Sequence, residues 1–234
     1  MYSFDSRIRY SEIEESGALS IQSLIDYFQD CSTFQSEDLN LGVETLHKIK
    51  RVWVVSAWQI IIHELPRLCD YVKICTCPYD FKGFMGFRNF WMVNEEGKRI
   101  AEANSIWTYL DTESGTPVKV TEDMMEAFKR EPKLDMEYAP RKIALPKEME
   151  AGEPIEIHRQ HLDTNHHVNN GQYIKLAMDA VELKEMVHQL RVEYKKQVLL
   201  GEVLTPYIGE TEGKTVVVLR DRENKDCCVV EFSK

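Results

Sequence analysis

The sequence predicts an α+β protein in which one structural unit, a helix set against antiparallel strands, occurs twice. Three observations carry the prediction. Each half holds one amphipathic stretch at helical spacing; each follows it with β-rich apolar runs parted by turn-forming residues; and a charged, proline-punctuated segment separates the halves. A length of 234 residues fits one large domain or two of roughly a hundred each.

From Leu19, the residues Ile21, Leu24, Ile25, Phe28 and Cys31 recur on one helical face, with Ser20 as N-cap and an end near Asp38. The runs "RVWVVSAWQIIIH", "YVKICTCPY", "GFMGFRNFWMV" and "KRIAEANSIWTYLD" then read as strands, separated by "ELPRLCD" and "NEEGK". In the last of them Ala101, Ala103, Ser105 and Trp107 alternate with Glu102, Asn104 and Ile106, and the runs read as antiparallel strands. From Glu131 to Lys147, charges interrupted by Pro132, Pro140 and Pro146 read as a linker. The expected domains are therefore 1–130 and 148–234, joined by 131–147.

In the second half a short strand precedes a helix on which Tyr173, Ile174, Ala177, Met178 and Val181 share a face. Strand-like "LRVEYKKQV", "EVLTPYIGE", "TVVVLRD" and "CCVVEFS" follow, with "DRENKD" as a turn. Placing Asp163 over Glu14 superposes Val168 on Leu19, Tyr173 on Leu24, Ile174 on Ile25 and Ala177 on Phe28; with another offset "GEVLTPY" falls on "DYVKICT". Such recurrence is the mark of a duplicated unit.

Composition narrows the function. A net charge of -10 argues against a general nucleic-acid binder, and no apolar run approaches the roughly 20 residues of a membrane-crossing helix. The amino-terminal stretch lacks a basic segment followed by an apolar one, so a cytoplasmic location is expected. Six cysteines without paired C-x-x-C spacing are expected as reduced thiols, and neither a metal nor an organic cofactor is expected.

The densest chemistry is "HLDTNHHVNNGQY", His161 to Tyr173. One reading is a helix start, with Asn169 or Asn170 as cap and the other polar groups solvated. The other notes that Asp163, Asn165 and His167 stand at i, i+2 and i+4, so an extended or gently turning segment aims all three to one side. The N–H groups and positive end of the following helix would then favour a carbonyl oxygen turning negative under attack. A carboxylate, an amide and an imidazole so placed suit acyl transfer or hydrolysis. The duplicated half has Glu14, Ser16 and Ala18 there, so only one copy carries this set.

"LDTNHHVNNGQYI", followed by "RVEYKKQV", resembles the acyl-[acyl-carrier-protein] thioesterase family, and "RVWVVSAWQIII", "PYDFKGFMGFRNF" and "ANSIWTYLDTESGTPV" resemble its amino-terminal half. The resemblance implies two tandem hot-dog domains, each an antiparallel sheet wrapped around a central helix. It implies hydrolysis of the thioester between a fatty acyl chain and the phosphopantetheine arm of acyl carrier protein, releasing free fatty acid, by a monomer or homodimer. It further implies an acyl pocket in the first domain and catalysis in the second. Carried over by position, Asp163, Asn165, His167 and Gln197 are the catalytic candidates.

At the fourth position plant members of the family are expected to have Glu followed by Cys in the strand after the helix, and this chain has Gln197 and Val198. A cysteine nucleophile is therefore unsupported there, leaving water, with Asp163 or His167 as base and Gln197 placing the water, or direct attack by Asp163. Glu193 stands four strand residues, roughly 13 Å, from Gln197 and cannot replace it. His161 and His166 are expected on the surface or in loops and the tryptophans mainly in the core, some of them lining the acyl tunnel; of the basic clusters Lys195 with Lys196, Lys82 with Arg88, and Arg141 with Lys142, one is expected as a docking patch for the acidic carrier, Lys195 with Lys196 first. The rival readings are an acyl-CoA thioesterase, a non-catalytic acyl-binding module, and hydration chemistry on the same fold.

Overall fold

The structure, a computed structural model, describes residues 1–163, 165–183 and 185–234. It divides into two compact units, Met1–Ser56 with Ile62–Tyr138, and Ala57–Ile61 with Ala139–Lys234.

The first unit contains β1 (Tyr2–Arg7), α1 (Ile21–Asp38), α2 (Val43–Lys48), β2 (Arg51–Ile62, shared as above), β3 (Tyr71–Lys82), β4 (Met85–Asn94), β5 (Arg99–Asp111) and α3 (Glu122–Ala127). Its strands run in the order β1-β3-β4-β5-β2. The Ser20 side chain accepts the Ser23 N–H at 3.0 Å and so caps α1. The helix buries Leu24, Ile25, Phe28 and Cys31 against the sheet, where the Phe28 and Phe90 rings lie 5.4 Å apart and the Cys31 thiol meets the Ile74 carbonyl of β3. Each such aliphatic or aromatic burial contributes about 1.5–3 kcal/mol, which is why the helical stripe fixes the architecture. Sequence reading missed β1, whose burial alternates residue by residue on a half-polar edge strand, and the six-residue helices α2 and α3.

Strand β5 is buried on both faces: Glu102 and Asn104 are buried along with Ala101 and Ala103. The reason lies in residues 131–138, which hold no helix or strand yet lie against the face of Glu102 and Asn104. The Leu134 N–H and Tyr138 hydroxyl both donate to Asn89 Oδ1, while Asn89 Nδ2 donates to the Ala103 carbonyl at 3.1 Å. Tyr79 donates to Asn104, and Arg99 pairs with Glu102 at 2.6 Å. Buried polar groups persist where such partners are supplied.

The second unit contains β6 (Glu150–Ala151), β7 (Ile155–Glu156), α4 (Asn170–Asp179), β8 (Gln189–Tyr194), β9 (Val203–Thr211), β10 (Lys214–Arg220) and β11 (Asp226–Ser233). Residues 57–61 pair with β8, and the order continues β11-β10-β9-β6, with β7 also on β9. Helix α4 packs on β10 and β11 through Tyr173, Ile174, Leu176 and Ala177. Here too the segment preceding the unit's strands is bound to its sheet. Arg191 pairs with buried Glu231 at 2.9 Å and donates to the Pro140 and Lys142 carbonyls, and the Ile143 N–H donates to Glu193. Residues 131–143 thus serve as a strap on each unit's sheet, which their composition alone did not disclose.

The duplication holds hydrogen bond for hydrogen bond. Glu14 N donates to Ala18 O as Asp163 N does to His167 O, at 2.9 and 2.8 Å; Leu19 N donates to Pro66 O as Val168 N does to Val198 O. Ile8 donates to the Asp70 carbonyl as Ile157 does to that of Glu202. That last pair corrects the "GEVLTPY" match by one residue: Glu202, not Gly201, stands over Asp70. A slip of one reverses every side chain in a strand, and buried Leu204 accordingly matches buried Val72.

Candidate active site

The segment after Leu162 is a tight hairpin, not the extended run that the i, i+2, i+4 spacing suggested. Leu162 bridges Val168, Asp163 N donates to His167 O, and His166 N donates to Asp163 O at 3.1 Å. His166 takes the left-handed conformation, with φ of +62°, that closes the hairpin. Its counterpart in the first unit is Gly17, at +76°. His166 is exposed, as expected, and serves the turn. Thr164 lies outside the described residues.

Asp163 holds this turn. Its Oδ1 accepts the Asn165 N–H at 2.8 Å and the His167 N–H at 3.3 Å, so one carboxylate oxygen is committed to the backbone. No hydrogen bond to Oδ2 is present among the described residues. Asn165 is exposed and His167 half-buried. The side chains of Asp163, Asn165, His167 and Gln197 share no hydrogen bond among the described residues; the backbone brings them into one neighbourhood.

Gln197 reaches that neighbourhood by a different route from the strand expected. Strand β8 stops at Tyr194, and 195–201 turns back so that Val198 O accepts the Val168 N–H at 3.0 Å and Leu199 bridges His167. In this short antiparallel ladder Val168 and Val198 are buried, at 3% and 1% exposure. Period-two alternation then turns His167 and Gln197 to the opposite, outer side. Glu193, engaged with Ile143, is no substitute.

The segment is clamped by a residue that sequence reading took only for part of an apolar helix face. The buried Tyr173 hydroxyl donates to the Lys196 carbonyl at 3.3 Å and accepts from the Val198 amide. Its counterpart in the first unit is Leu24, which has no hydroxyl, and that contrast was the available signal. The Tyr194 hydroxyl similarly donates to the Asn170 carbonyl at 3.0 Å.

Other expectations are corrected. Asn169 is the N-cap of α4, but its Oδ1 takes the Gly171 N–H, and the Gln172 and Tyr173 amides turn to its carbonyl, so these first-turn donors are not open as expected. His161 is buried at 8% exposure, not on the surface: its Nδ1 accepts the His158 N–H, and its carbonyl accepts that of Asn169. Burial first, then His158 and Lys175, lower its pKa. Lys195 pairs with Asp226 at 3.1 Å and Lys196 with Asp221 at 2.6 Å, which neutralises the proposed docking pair. The thiol beside this loop, Cys227, is fully buried and pushed up to about 11 by that burial, so it is protonated at neutral pH.

Two cavities are present in the first unit. One, of about 320 Å³, is lined by Leu41, Ile49, Tyr109, Val118 and Met124, with Arg51 and Asp123 among its polar residues. The other, of about 610 Å³, is lined mainly by charged and polar groups with Tyr79 and Met125. No candidate catalytic residue lines either one.

Two helix-on-sheet units in one chain, with a polar hairpin at the helix start of the second, define a tandem hot-dog protein. The family model for the acyl-ACP thioesterase N-terminal domain matches residues 1–128, and that for the C-terminal domain matches 145–231. The chain belongs to the acyl-ACP thioesterase family. An acyl-ACP thioesterase from Bacteroides thetaiotaomicron aligns with a TM-score of 0.89 at 18% identity, over 99% of this chain and 96% of that one. A structure described as an oleoyl thioesterase from Lactobacillus plantarum gives 0.87 at 24%, over 99% and 94%; the 12:0-ACP thioesterase from Umbellularia californica gives 0.82 at 16%, over 99% and 96%. At these identities the likeness speaks for the fold. No curated protein matches the chain in sequence. Among the described residues no helix is long and apolar enough to cross a membrane. The protein is a thioester hydrolase acting on fatty acyl-ACP.

Proposed function

We propose that hydrolysis proceeds by attack of water at the hairpin, with His167 as general base. The observation that carries this reading is the 167–169/197–199 ladder, whose buried valines turn His167 and Gln197 to the same outer side. Gln197 and Asn165 hold the water by their amides, and His167 takes its proton as the oxygen bonds to the thioester carbon. With its first-turn donors taken, α4 offers the oxyanion only the positive end of its dipole. As the tetrahedral intermediate collapses, the carbon–sulfur bond breaks and the imidazolium returns the proton to the leaving thiolate. Asp163, tied through Oδ1, orients the loop and presents Oδ2 toward the reacting groups. Protonated Cys227 does not compete as a nucleophile.

The acyl chain is assigned to the first unit. What supports this is the cavity bounded by Tyr109, Val118 and Met124 beside the buried cluster of Leu46, Val120 and Phe128; its volume is at the low end of the roughly 300–1,000 Å³ of ligand pockets. The test is fatty acid release from acyl-ACP by the full chain carrying His167→Ala or Gln197→Ala. A positioned base contributes about 10²- to 10⁴-fold, so His167→Ala is expected to lose that much at unchanged Tm, with a smaller loss for Gln197→Ala. Retained turnover in His167→Ala overturns the mechanism.

A further inference from the structure

The two copies of the scaffold can be compared position by position, and around the catalytic hairpin their charges are opposed. In the first unit, Arg9, Tyr10 and Glu12 precede the equivalent hairpin and Asp26 lies on α1; Arg9 pairs with Glu12 in a capping box, at 2.5 Å. The corresponding positions in the second unit, set by the equivalences of Ile8 with Ile157 and Glu14 with Asp163, hold His158, Arg159, His161 and Lys175. A carboxylate becomes an imidazole at one place and an ammonium at another, a tyrosine becomes a guanidinium, and the Arg9 guanidinium becomes an imidazole, so the net charge changes from negative to positive.

These groups form one patch. His158 and His161 keep the capping-box geometry, with rings 5.9 Å apart. Arg159 begins the same turn, and Lys175 is close enough to His161 to disfavour its protonation. His158, Arg159 and Lys175 are exposed. Neither Arg159 nor Lys175 has a carboxylate partner within salt-bridge distance among the described residues, unlike Lys195 and Lys196. Asp179, farther along α4, and Glu156, at the end of β7, lie at its margins. The patch adjoins the reaction loop directly, because the His161 carbonyl holds the Asn169 amide at 2.8 Å.

We infer that the exposed face of His158, Arg159 and Lys175 is the docking surface for the acyl carrier protein, and that the carrier presents carboxylates to it. The inference rests on the hairpin being the reaction site. In a chain of net charge -10 an acidic partner is repelled at long range, so a local positive face beside the reaction site directs its approach. The first unit, with Glu12 and Asp26 on the same scaffold, offers no such face, which gives the carrier one of two otherwise similar units.

The experiment uses the full chain with Arg159→Glu, Lys175→Glu and the double variant. It measures binding of holo-carrier by fluorescence anisotropy, which needs no turnover, and hydrolysis of acyl-carrier and of an acyl-N-acetylcysteamine thioester. Expected are weakened carrier binding and a several-fold higher KM for the acyl-carrier, near-constant kcat, and little change on the small thioester. The effect should shrink between about 20 and about 200 mM salt as screening shortens from roughly 20 Å to under 10 Å. Unchanged carrier binding, or equal losses on both thioesters, overturns the inference. Failure of the hairpin as the reaction site would show separately, as retained turnover in His167→Ala with carrier binding still sensitive to Arg159→Glu.

Discussion

Replacing Asp163 by asparagine and, separately, by alanine divides its two roles. The carboxylate Oδ1 accepts two backbone N–H groups, from Asn165 at 2.8 Å and His167 at 3.3 Å. An asparagine oxygen can accept both, whereas alanine accepts neither and leaves the hairpin held by its backbone bonds alone. By analogy with loss of a helix cap, which costs about 0.5–2 kcal/mol, alanine should cost about 1–2 kcal/mol, since the second bond is long. For a chain of this size, with about 2–4 °C per kcal/mol, that is a fall in Tm of about 2–8 °C. Asparagine should stay within about 1 °C of the parent on the same scale. If the charge on Oδ2 takes part in the reaction, both variants lose about 10²- to 10⁴-fold in turnover. Thermal unfolding and thiol release from acyl-ACP, measured on the same preparations, report the two roles independently. Full activity in Asp163→Asn would refute a chemical role for the carboxylate and leave it as a turn fastener.

His166→Gly should leave turnover unchanged and not lower Tm, because the position needs a left-handed backbone, as Gly17 supplies in the twin; a large loss of activity would show that the imidazole does chemistry. Tyr173→Phe removes the clamp on Lys196 and Val198 and should lower kcat several-fold with about 1 kcal/mol of stability. Combined with Gln197→Ala it should add little further loss, and strictly multiplicative losses would separate the two residues. Burial, then Asp30 and Glu12, raise the half-buried Asp26 carboxyl to about 6. Between the unfolded value and 6 the folded state holds a proton that the unfolded state has released, so stability falls as pH rises through that window and stays lowered above it. Asp26→Asn should therefore raise Tm above pH 6 by the equivalent of about 1 kcal/mol after discounting for solvent screening, and bring no gain at pH 4; an equal gain at both would contradict the titration.

Local physics wrote much of this protein legibly. The Ser20 cap and the stripe of Ile21, Leu24, Ile25 and Phe28 define α1 because helical period and capping act within a few residues. The strands from β2 to β5 and from β8 to β11 were legible from β-rich runs ended by turns. The polar string from Asp163 to Asn169 marked one copy against the other, since its hairpin is made of neighbours in sequence. What the sequence could not determine depends on partners far along the chain. That Asn104 and Glu102 are buried depends on Tyr79 and Arg99 and on a strap some thirty residues later; that Lys196 is neutralised depends on Asp221; that Gln197 stands beside Asn169 depends on Val198 meeting Val168 and on a tyrosine hydroxyl holding the loop. Burial and pairing are properties of three-dimensional neighbours, and one residue of strand register, as between Gly201 and Glu202, decides which face a side chain meets. Composition and period chose the unit and its duplication, and only the tertiary contacts decided which of its polar groups remain available for chemistry.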